Sequence, residues 1–274
     1  MSDKQFFAVV GNPIAHSKSP EIHHAFAQAE GLALDYSRLE APLDAFEETV
    51  RSFFSQSNHR GLNVTVPFKE QAVTLAEQLT ERAQLAGAVN TLWQNQNGQI
   101  CGDTTDGAGL VFDLKNNNEI ALTDKKILVI GAGGAVRGVL QPILNEKPAD
   151  IVLCNRTLEK AEALAALFNE LGNIRTRAFR ELEGPFDLVI NGTSASLGGA
   201  LPPLPDSVIG KGTVVYDMMY GASTTPFNQW ALDLGAKQAI DGLGMLVEQA
   251  AEAFFIWHGV RPDTRDVLRN LRGN

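Results

Sequence analysis

Residues 127–137 read Ile127-Leu128-Val129-Ile130-Gly131-Ala132-Gly133-Gly134-Ala135-Val136-Arg137, an apolar run followed by a cluster of glycines. Glycines let the backbone turn tightly and approach a pyrophosphate, and the free amides at a helix start attract that anion. The order of strand, glycine turn and helix therefore predicts a dinucleotide-binding site at Gly131, Ala132, Gly133, Gly134 and Ala135. Val136 occupies the third glycine position of the usual fingerprint, and a tight turn without a ligand is the alternative interpretation.

Six short apolar runs around this stretch predict strands, and helical runs separate the earlier ones. The predicted strands are Lys126–Ile130, Ile151–Cys154, Ile174–Ala178, Leu188–Ile190, Val214–Tyr216 and Gln238–Ile240. Helices are predicted at Gly134–Leu144 and Leu158–Leu167. Short apolar strands that alternate with helices indicate a parallel sheet covered on both faces. Six of them match the doubly wound, Rossmann-type dinucleotide fold, so we predict an α/β protein.

The end of the second of these strands selects the cofactor. NAD-binding folds place an acidic residue there, which binds the ribose 2'-hydroxyl. This chain instead has Asn155, Arg156 and Thr157. A guanidinium pairs with a 2'-phosphate through two parallel hydrogen bonds, whereas a carboxylate repels it. The sequence therefore favours NADP over NAD, and the alternative is a surface arginine with Thr157 as a helix N-cap.

The first hundred residues also alternate between strand-like and helix-like runs. Strands are predicted at Phe6–Val10, Leu34–Leu39, Leu62–Val66, Val89–Trp93 and Gln99–Cys101. Helices are predicted at Ser19–Glu30, at Leu43–Phe54, after Pro67 through Leu75, and at Glu81–Leu85. Ser19 is predicted to be the N-cap of the first helix, because a proline and then an acid follow it. A last helix over Leu243–Trp257 has a broad apolar stripe, and its pattern alone does not assign it to either half.

The composition limits the classes of partner. The chain has 274 residues, a net charge of −9 and a pI near 5.1, which argue against nucleic acid or an anionic membrane as a main partner. Its two cysteines, Cys101 and Cys154, do not have metal-ligand spacing, and no His, Asp and Glu pattern predicts a metal site. The N-terminus lacks the pattern of a signal peptide and no apolar run is long enough for a membrane span, so a cytoplasmic protein is expected.

Five further motifs lie outside the glycine turn. They are Gly11-Asn12-Pro13-Ile14-Ala15-His16-Ser17-Lys18-Ser19-Pro20, Asn63-Val64-Thr65-Val66-Pro67-Phe68-Lys69, Gly87-Ala88-Val89-Asn90-Thr91, Gly102-Asp103-Thr104-Thr105-Asp106-Gly107 and Asp241-Gly242-Leu243-Gly244-Met245-Leu246-Val247-Glu248-Gln249. With the glycine turn, in this order and spacing, the chain closely resembles the shikimate dehydrogenase family from about Phe7 to Pro262. Two positions differ from the family pattern: Thr104, where Asn is commoner, and Gly192, where Ala is commoner.

The resemblance implies a discontinuous α/β substrate-binding domain, residues 1–105 plus about 242–274, and an NADP-binding domain of residues 106–241. By similarity, Lys69 and Asp106 form the catalytic pair. The residues implied to surround the substrate are Ser17, Ser19, Thr65, Lys69, Asn90, Asp106, Tyr220 and Gln249, with Ser17, Ser19 and Tyr220 at its carboxylate. Thr193, Met218 and Gly242 are implied to flank the nicotinamide.

These roles have a physical basis and simpler alternatives. An ammonium at Lys69 stabilises charge that develops on a substrate oxygen and exchanges a proton with it, but a solvated lysine at a helix start is the alternative. A carboxylate at Asp106 orients that ammonium, unless Asp106 is only a helix N-cap that points away. In the alternative interpretation, Gln249 is only a surface amide and Ser19 is only a helix N-cap.

The function implied by the resemblance is the reversible, NADP-dependent reduction of 3-dehydroshikimate to shikimate, a step of chorismate and aromatic amino acid synthesis. One alternative is a quinate/shikimate dehydrogenase with relaxed cofactor use. Another is a non-catalytic NADP-binding sensor on the same scaffold. The expected partner is a small-molecule substrate, and the chain is expected to be a monomer or a homodimer.

Overall fold

A computed structural model of the chain describes residues 4–193, 195 and 200–273. The chain divides into two units: the first comprises Met1–Gly109 and Val247–Asn274, and the second comprises Leu110–Leu246. The first unit is therefore discontinuous in sequence, because the second is inserted between its two segments. Each unit contains a sheet and helices, which confirms the predicted α/β class.

The first unit contains a mixed sheet. Its strands are β1 (Gln5–Gly11), β2 (Leu34–Glu40), β3 (His59–Val64), β4 (Gln78–Leu79), β5 (Thr91–Gln94) and β6 (Ile100–Asp103), in the spatial order β2-β1-β3-β5-β6-β4. β1 pairs in parallel with β2 and β3, and β4 pairs in parallel with β6. β5 pairs antiparallel with β3 and with β6. The short β5–β6 hairpin brings the chain back across the sheet, so that residues after β6 lie beside those before β5.

The second unit has an entirely parallel sheet. Its strands are β7 (Lys126–Ile130), β8 (Asp150–Cys154), β9 (Ile174–Arg177), β10 (Leu188–Asn191), β11 (Val214–Asp217) and β12 (Gln238–Asp241). Their spatial order is β12-β11-β10-β7-β8-β9, so the direction of progression reverses between β7 and β10. This is the order of the doubly wound dinucleotide fold, in which ligands bind where the strand order reverses. The Rossmann-type prediction is confirmed.

The α-helices of the described residues connect many of these strands or follow the last of them. They are α1 (Ser19–Ala29), α2 (Phe46–Phe54), α3 (Lys69–Leu75), α4 (Glu81–Ala86), α5 (Asp106–Phe112), α6 (Gly134–Asn145), α7 (Leu158–Ala166), α8 (Pro226–Asp233), α9 (Leu243–His258) and α10 (Arg265–Arg272). A π-helical turn over Asp113–Asn117 follows α5. Helix α5 carries the chain from the first unit into the second, and α9 carries it back.

The core of the first unit positions the start of α3. Val10 of β1 pairs with Val64 of β3, and both side chains are buried in one cluster with residues of α2 and α3. Phe68, fully buried, stacks on Phe46 of α2 with ring centroids 4.6 Å apart. Because Phe68 is anchored in this way, the next residue, Lys69, is fixed at the edge of the core.

Several predicted boundaries are wrong, and exposure explains two of them. Leu43 is 63% exposed and lies before α2, which begins at Phe46, so an apolar residue outside the core had extended the predicted helix. Val66 is 69% exposed and lies beyond β3. The predicted N-cap of α1 is also wrong: Lys18 takes that position without a side-chain cap bond, and Ser19 is the first helical residue. The strand β4 and the helix α10 were not predicted.

Candidate active site

The side chains of Lys69 and Asp106 form an ion pair. Lys69 is the first residue of α3, and its Nζ donates to Oδ2 of Asp106 at 2.6 Å. The other carboxylate oxygen accepts from Nδ2 of Asn90 at 2.9 Å, and Asp106 is 8% exposed. The first hydrogen bond of α5 runs from the Gly109 N–H to the Thr105 carbonyl, which places Thr105 at the cap position. The Asp106 carboxylate therefore faces Lys69 and is not an N-cap.

Asn90 holds this group together. Its Nδ2 lies within 2.8 Å of Thr105 Oγ1, 2.9 Å of Asp106 Oδ1 and 3.2 Å of Gln249 Oε1. Its Oδ1 accepts from the Thr105 N–H and from the Thr91 hydroxyl, each at 2.9 Å. Both ends of the amide are thus used within the protein, and this pattern assigns its orientation. Gln249 is bound into the same group, so the surface-amide interpretation is wrong.

The two serines lie together at the start of α1. Ser17 Oγ donates to Ser19 Oγ at 3.2 Å and accepts from the Ser19 N–H at 3.3 Å. The guanidinium of Arg38 donates to the Ser17 carbonyl through Nε at 2.9 Å and through Nη2 at 2.5 Å. This cation fixes the loop backbone, so the two hydroxyls are presented as a pair.

Tyr36 and Asn63 form a buried hydrogen-bonded chain that ends at Asn90. The Tyr36 hydroxyl donates to Oδ1 of Asn63 at 2.6 Å, and Nδ2 of Asn63 donates to the Asn90 carbonyl at 3.1 Å. Burial raises the pKa of Tyr36, and a hydrogen bond with Ser19 opposes that shift. Hydrogen bonds therefore connect Tyr36 to Asn90 through the buried side chain of Asn63.

Arg82 forms a second group of charges with Asp103 and Glu252. Its Nε and Nη2 donate to the two carboxylate oxygens of Asp103, each at 2.7 Å, and Nη2 also donates to Glu252 at 3.0 Å. Burial acts to lower the pKa of Arg82, but the hydrogen bonds and charges of the two carboxylates outweigh it and raise that pKa. Asp103 lies three residues before Asp106, and Glu252 lies three residues after Gln249. Arg82 thus joins the two segments that carry those side chains.

In the second unit the strand register aligns the predicted cofactor residues. Ile130, Cys154, Asn191, Asp217 and Asp241 occupy one row across five neighbouring strands. The residues that directly follow this row are Gly131, Asn155, Gly192, Met218 and Gly242. The carboxyl ends of parallel strands share one edge, so all five lie along that edge of the sheet.

The glycine turn at this edge leaves open space above the start of α6. Gly131 has a φ of +113°, which favours glycine, and its N–H donates to the Cys154 carbonyl at 2.8 Å. A Cβ on Gly133 or Gly134 would meet nothing within 4 Å. The backbone at the first turn of this twelve-residue helix is therefore accessible to a pyrophosphate.

Arg156 is exposed just beyond β8, and no ion pair joins it to any residue that the structure describes. Asn155 donates from Nδ2 to the Thr157 carbonyl at 2.8 Å, which holds the loop in shape. Thr157 is at the N-cap position of α7, but its hydroxyl makes no cap bond. Since this loop offers a cation and no acid, it fits an NADP 2'-phosphate.

The remaining predicted residues are spread over both units. Thr65 of the first unit donates its N–H to the Val10 carbonyl at 2.9 Å. In the second unit the Thr193 hydroxyl donates to Asn191 Oδ1 at 2.7 Å, and Met218 is buried directly after β11. A Cβ on Gly242 would lie 2.1 Å from the Met218 carbonyl oxygen, so only glycine fits there. Tyr220 is 36% exposed in the same loop as Met218, and partial burial raises its pKa.

Comparison with known proteins decides the family. Models described as the shikimate dehydrogenase substrate binding domain, shikimate / quinate 5-dehydrogenase and the shikimate 5'-dehydrogenase C-terminal domain match residues 9–92, 113–198 and 242–272. The chain is 60% identical over 269 residues to the shikimate dehydrogenase (NADP(+)) of Marinobacter nauticus, covering 97% of this chain and 98% of that protein. The chain belongs to the shikimate dehydrogenase family.

Solved structures agree with this membership. An Ael1 enzyme from Pseudomonas putida is 47% identical with a TM-score of 0.92, covering 97% of this chain and 98% of that one. Shikimate 5-dehydrogenase from Thermus thermophilus, solved in complex with NADP(H) and shikimate, is 32% identical with a TM-score of 0.86, covering 98% and 99%. The family and fold predicted from the sequence are confirmed.

Three residues of this family member were missed by the sequence reasoning: the buried Tyr36 and Asn63 and the partly buried Arg82. The sequence did contain a signal for Asn63, because it is an amide inside an apolar strand run. In the structure it is 5% exposed. Tyr36 and Arg82 had no such signal, because their partners are distant in sequence. Within the described ranges no helix is long and apolar enough to cross a membrane, and no cluster of His, Cys, Asp and Glu is placed to hold a metal ion.

Proposed function

We propose that this chain interconverts 3-dehydroshikimate and shikimate with NADP, and that Lys69 and Asp106 are its catalytic residues. The observation that carries the proposal is the hydrogen-bonded group of Lys69, Asp106 and Asn90. It presents an oriented ammonium in a chain whose relatives are named NADP-dependent shikimate dehydrogenases. The first unit is proposed to bind the substrate, and the second is proposed to bind NADP.

Lys69 has the chemistry that the alcohol–ketone conversion needs. NADP, when bound, accepts or supplies the hydride, and the protein handles the proton on the C3 oxygen. The Lys69 ammonium stabilises negative charge on that oxygen and exchanges a proton with it. Asp106 holds the ammonium in place at 2.6 Å, and Asn90 in turn holds Asp106. The reaction balances in protons and electrons: 3-dehydroshikimate, NADPH and H⁺ give shikimate and NADP⁺.

Two hydroxyls are proposed to receive the substrate carboxylate. Ser17 and Ser19 lie as a pair that Arg38 fixes through the backbone. Neutral donors suit this anion because they add no charge that must be desolvated. Tyr220 of the second unit is proposed to assist them. Thr65, Asn90 and Gln249 are proposed to lie around the ring hydroxyls.

NADP is proposed to lie along the carboxyl edge of the second sheet. The turn Gly131–Ala135 would receive the pyrophosphate on backbone amides, and Asn155, Arg156 and Thr157 would receive the 2'-phosphate. Thr193, Met218 and Gly242 would flank the nicotinamide. The support for this placement is the shared register of the residues that follow β7, β8, β10, β11 and β12.

The partner classes proposed here follow from charge. A net charge of −9 disfavours a nucleic-acid partner, so the proposed partner is a small molecule. A monomeric or homodimeric state and a cytoplasmic location stay predictions.

An assay of four combinations tests the function. Purified protein is incubated with shikimate or quinate and with NADP⁺ or NAD⁺, and NADPH or NADH formation is followed by absorbance. We expect turnover with shikimate and NADP⁺ far above the other three combinations. Comparable turnover of quinate with NAD⁺ would favour the relaxed enzyme, and NADP⁺ binding without turnover would favour the sensor.

A further inference from the structure

A departure from the dinucleotide-binding fingerprint meets a tightly packed glycine in the second unit. Val136 stands where the fingerprint has its third glycine, and its side chain packs against Gly192. A Cβ on Gly192 would lie 2.3 Å from Cγ2 of Val136, a separation that real Cβ atoms essentially never show. The valine methyl thus occupies the space that an alanine at 192 would need.

The valine has no freedom to give way. It is the third residue of α6 and is fully buried. A β-branched side chain in a helix has one strongly preferred χ1 rotamer. Its Cγ2 would also lie 3.2 Å from a Cβ on Gly131, so it is enclosed from a second side. A larger residue at 192 must therefore move the backbone of a loop or of the helix start.

The contact lies where the strand order reverses. β7 and β10 are neighbours, with Ile130 paired to Asn191, and the Gly192 N–H donates to the Ile130 carbonyl at 2.9 Å. Val136 belongs to the helix that follows β7, whereas Gly192 begins the loop that follows β10. The pair therefore sets how closely the start of α6 approaches the neighbouring loop.

In the usual fingerprint the third glycine permits close packing of helix and strand. We propose that Gly192 performs this task here, and that Val136 and Gly192 act together as positioning residues for NADP. The missing Cβ at 192 accepts the methyl of Val136, so α6 keeps its close approach although its own third glycine is absent. The amides of residues 132–135 and the side chain of Thr193 are thereby held in place. This inference rests on the proposed NADP-binding role of the second unit.

The test is rescue of one substitution by another. Gly192→Ala should raise the Kd for NADP⁺ roughly ten-fold or more, because overpacking a stiff buried contact displaces its surroundings. Val136→Ala removes the obstructing methyl, so the double variant Gly192→Ala/Val136→Ala should return to within about three-fold of the unchanged protein. Titration calorimetry gives the Kd, and steady-state kinetics give separate KM values for NADP⁺ and shikimate.

A matched control separates this effect from any general effect of replacing glycine with alanine. Gly212 lies in the same unit, and a Cβ there would meet nothing within 4 Å, so Gly212→Ala should leave both KM values unchanged. A merely structural role for the pair would lower the melting temperature of Gly192→Ala without changing the KM for NADP⁺, and it would overturn the inference. Failure of the double variant to recover NADP⁺ affinity would also overturn it. If the unchanged protein does not bind NADP⁺, the proposed function itself fails.

Discussion

The candidate site of the first unit consists of side chains that hydrogen-bond to one another, whereas that of the second consists mainly of glycines and backbone at strand ends. Lys69, Asp106 and Asn90 are joined by contacts of 2.6 and 2.9 Å. In contrast, Gly133 and Gly134 present open space. One site is built by filling space with polar groups, and the other by leaving space vacant.

This difference determines what a substitution does in each unit. A buried polar group that loses its partner keeps its desolvation cost, so damage in the first unit spreads along the network. In the second unit an added atom obstructs the ligand or the packing, and a removed side chain such as Arg156 takes away one contact.

The largest effect is expected at Lys69. Charge on the substrate oxygen develops mainly in the transition state, so Lys69→Ala should lower kcat and kcat/KM together with little change in the KM for shikimate. Positioned acid–base help is typically worth about 10²–10⁴-fold in rate, and a loss of this size is expected. Steady-state kinetics measure it, and NADP⁺ affinity should stay intact.

Asp106→Asn is the partner experiment for this prediction. Because Asp106 and Lys69 act as one unit, the double variant should be far less than additively impaired. Near-normal kcat in Lys69→Ala would show that the lysine is not catalytic, even though it forms an ion pair with Asp106.

The second prediction concerns Arg82 and stability. Arg82→Met keeps the apolar stem but leaves the 3%-exposed Asp103 without its bidentate partner. Breaking such a buried pair should lower the free energy of unfolding by about 3 kcal/mol, measured by urea denaturation. Arg51, in an exposed i,i+4 pair with Glu47, is the matched control, and Arg51→Met should cost no more than about 0.5 kcal/mol. Equal costs in both variants would refute the network interpretation.

The third prediction addresses cofactor choice in the second unit. Arg156→Ala should raise the KM for NADP⁺ and leave that for NAD⁺ nearly unchanged, because only NADP⁺ has the 2'-phosphate. A charge-assisted hydrogen bond of this kind is worth roughly 1.5–3 kcal/mol, equivalent to about ten-fold or more in KM. Lys160 is a nearby cation of α7, and Lys160→Ala serves as the control. Equal changes in the KM values for NADP⁺ and NAD⁺ would show that Arg156 is only a surface residue that does not bind the 2'-phosphate.

The fourth prediction concerns how the stability of the first unit depends on pH. All five histidines of the chain belong to the first unit, and burial lowers the pKa of His23 to about 3, with the charge of His258 acting in the same direction. An unfolded histidine titrates near 6.5, so the unfolded state binds the proton first as the pH falls. The stabilising contribution of a neutral His23 is present above pH 6.5 and declines as the pH decreases toward 3.

Between pH 7 and pH 5 this linkage should reduce the free energy of unfolding by about 2 kcal/mol. Urea denaturation at the two pH values measures the loss. His23→Phe, which retains a ring against Tyr36, should make the measured loss about 2 kcal/mol smaller, and the loss that remains includes that of His258, whose pKa burial lowers to about 4. His16→Ala at an exposed position should leave the loss unchanged. An unchanged pH dependence in His23→Phe would contradict the assignment to this buried ring.

The contrast between the units also explains which parts could be predicted from sequence. The cofactor edge depends on local order: a strand, a glycine turn and a helix are contiguous in residues 126–145, and each parallel strand ends at the same edge. Reading the sequence locally was therefore enough to place Gly131 and Arg156. The predicted start of α2 and end of β3 were wrong because Leu43 and Val66 are apolar but exposed, and the sequence pattern alone does not distinguish them from core residues.

The network of the first unit depends on contacts that no local pattern contains. Asn90 and Gln249 are 159 residues apart, and Arg82 and Glu252 are 170 apart. Only the resemblance pointed to Asn90 and Gln249, and nothing pointed to Arg82. β4 was too short to show a periodicity, with two residues, and α10 was missed as a charged segment beyond the apolar stripe of α9.

Insertion of the second unit into the first fixes the order in which the ribosome makes them. Leu110–Leu246 is complete before the chain reaches Gln249 and Glu252. Gln249 and Glu252 are made after every residue of the second unit, so the first unit cannot complete its hydrogen-bond network until the second has been translated in full. The bonds of Gln249 to Asn90 and of Glu252 to Arg82 can form only after that point. The unit whose translation starts first is therefore the unit whose translation finishes last.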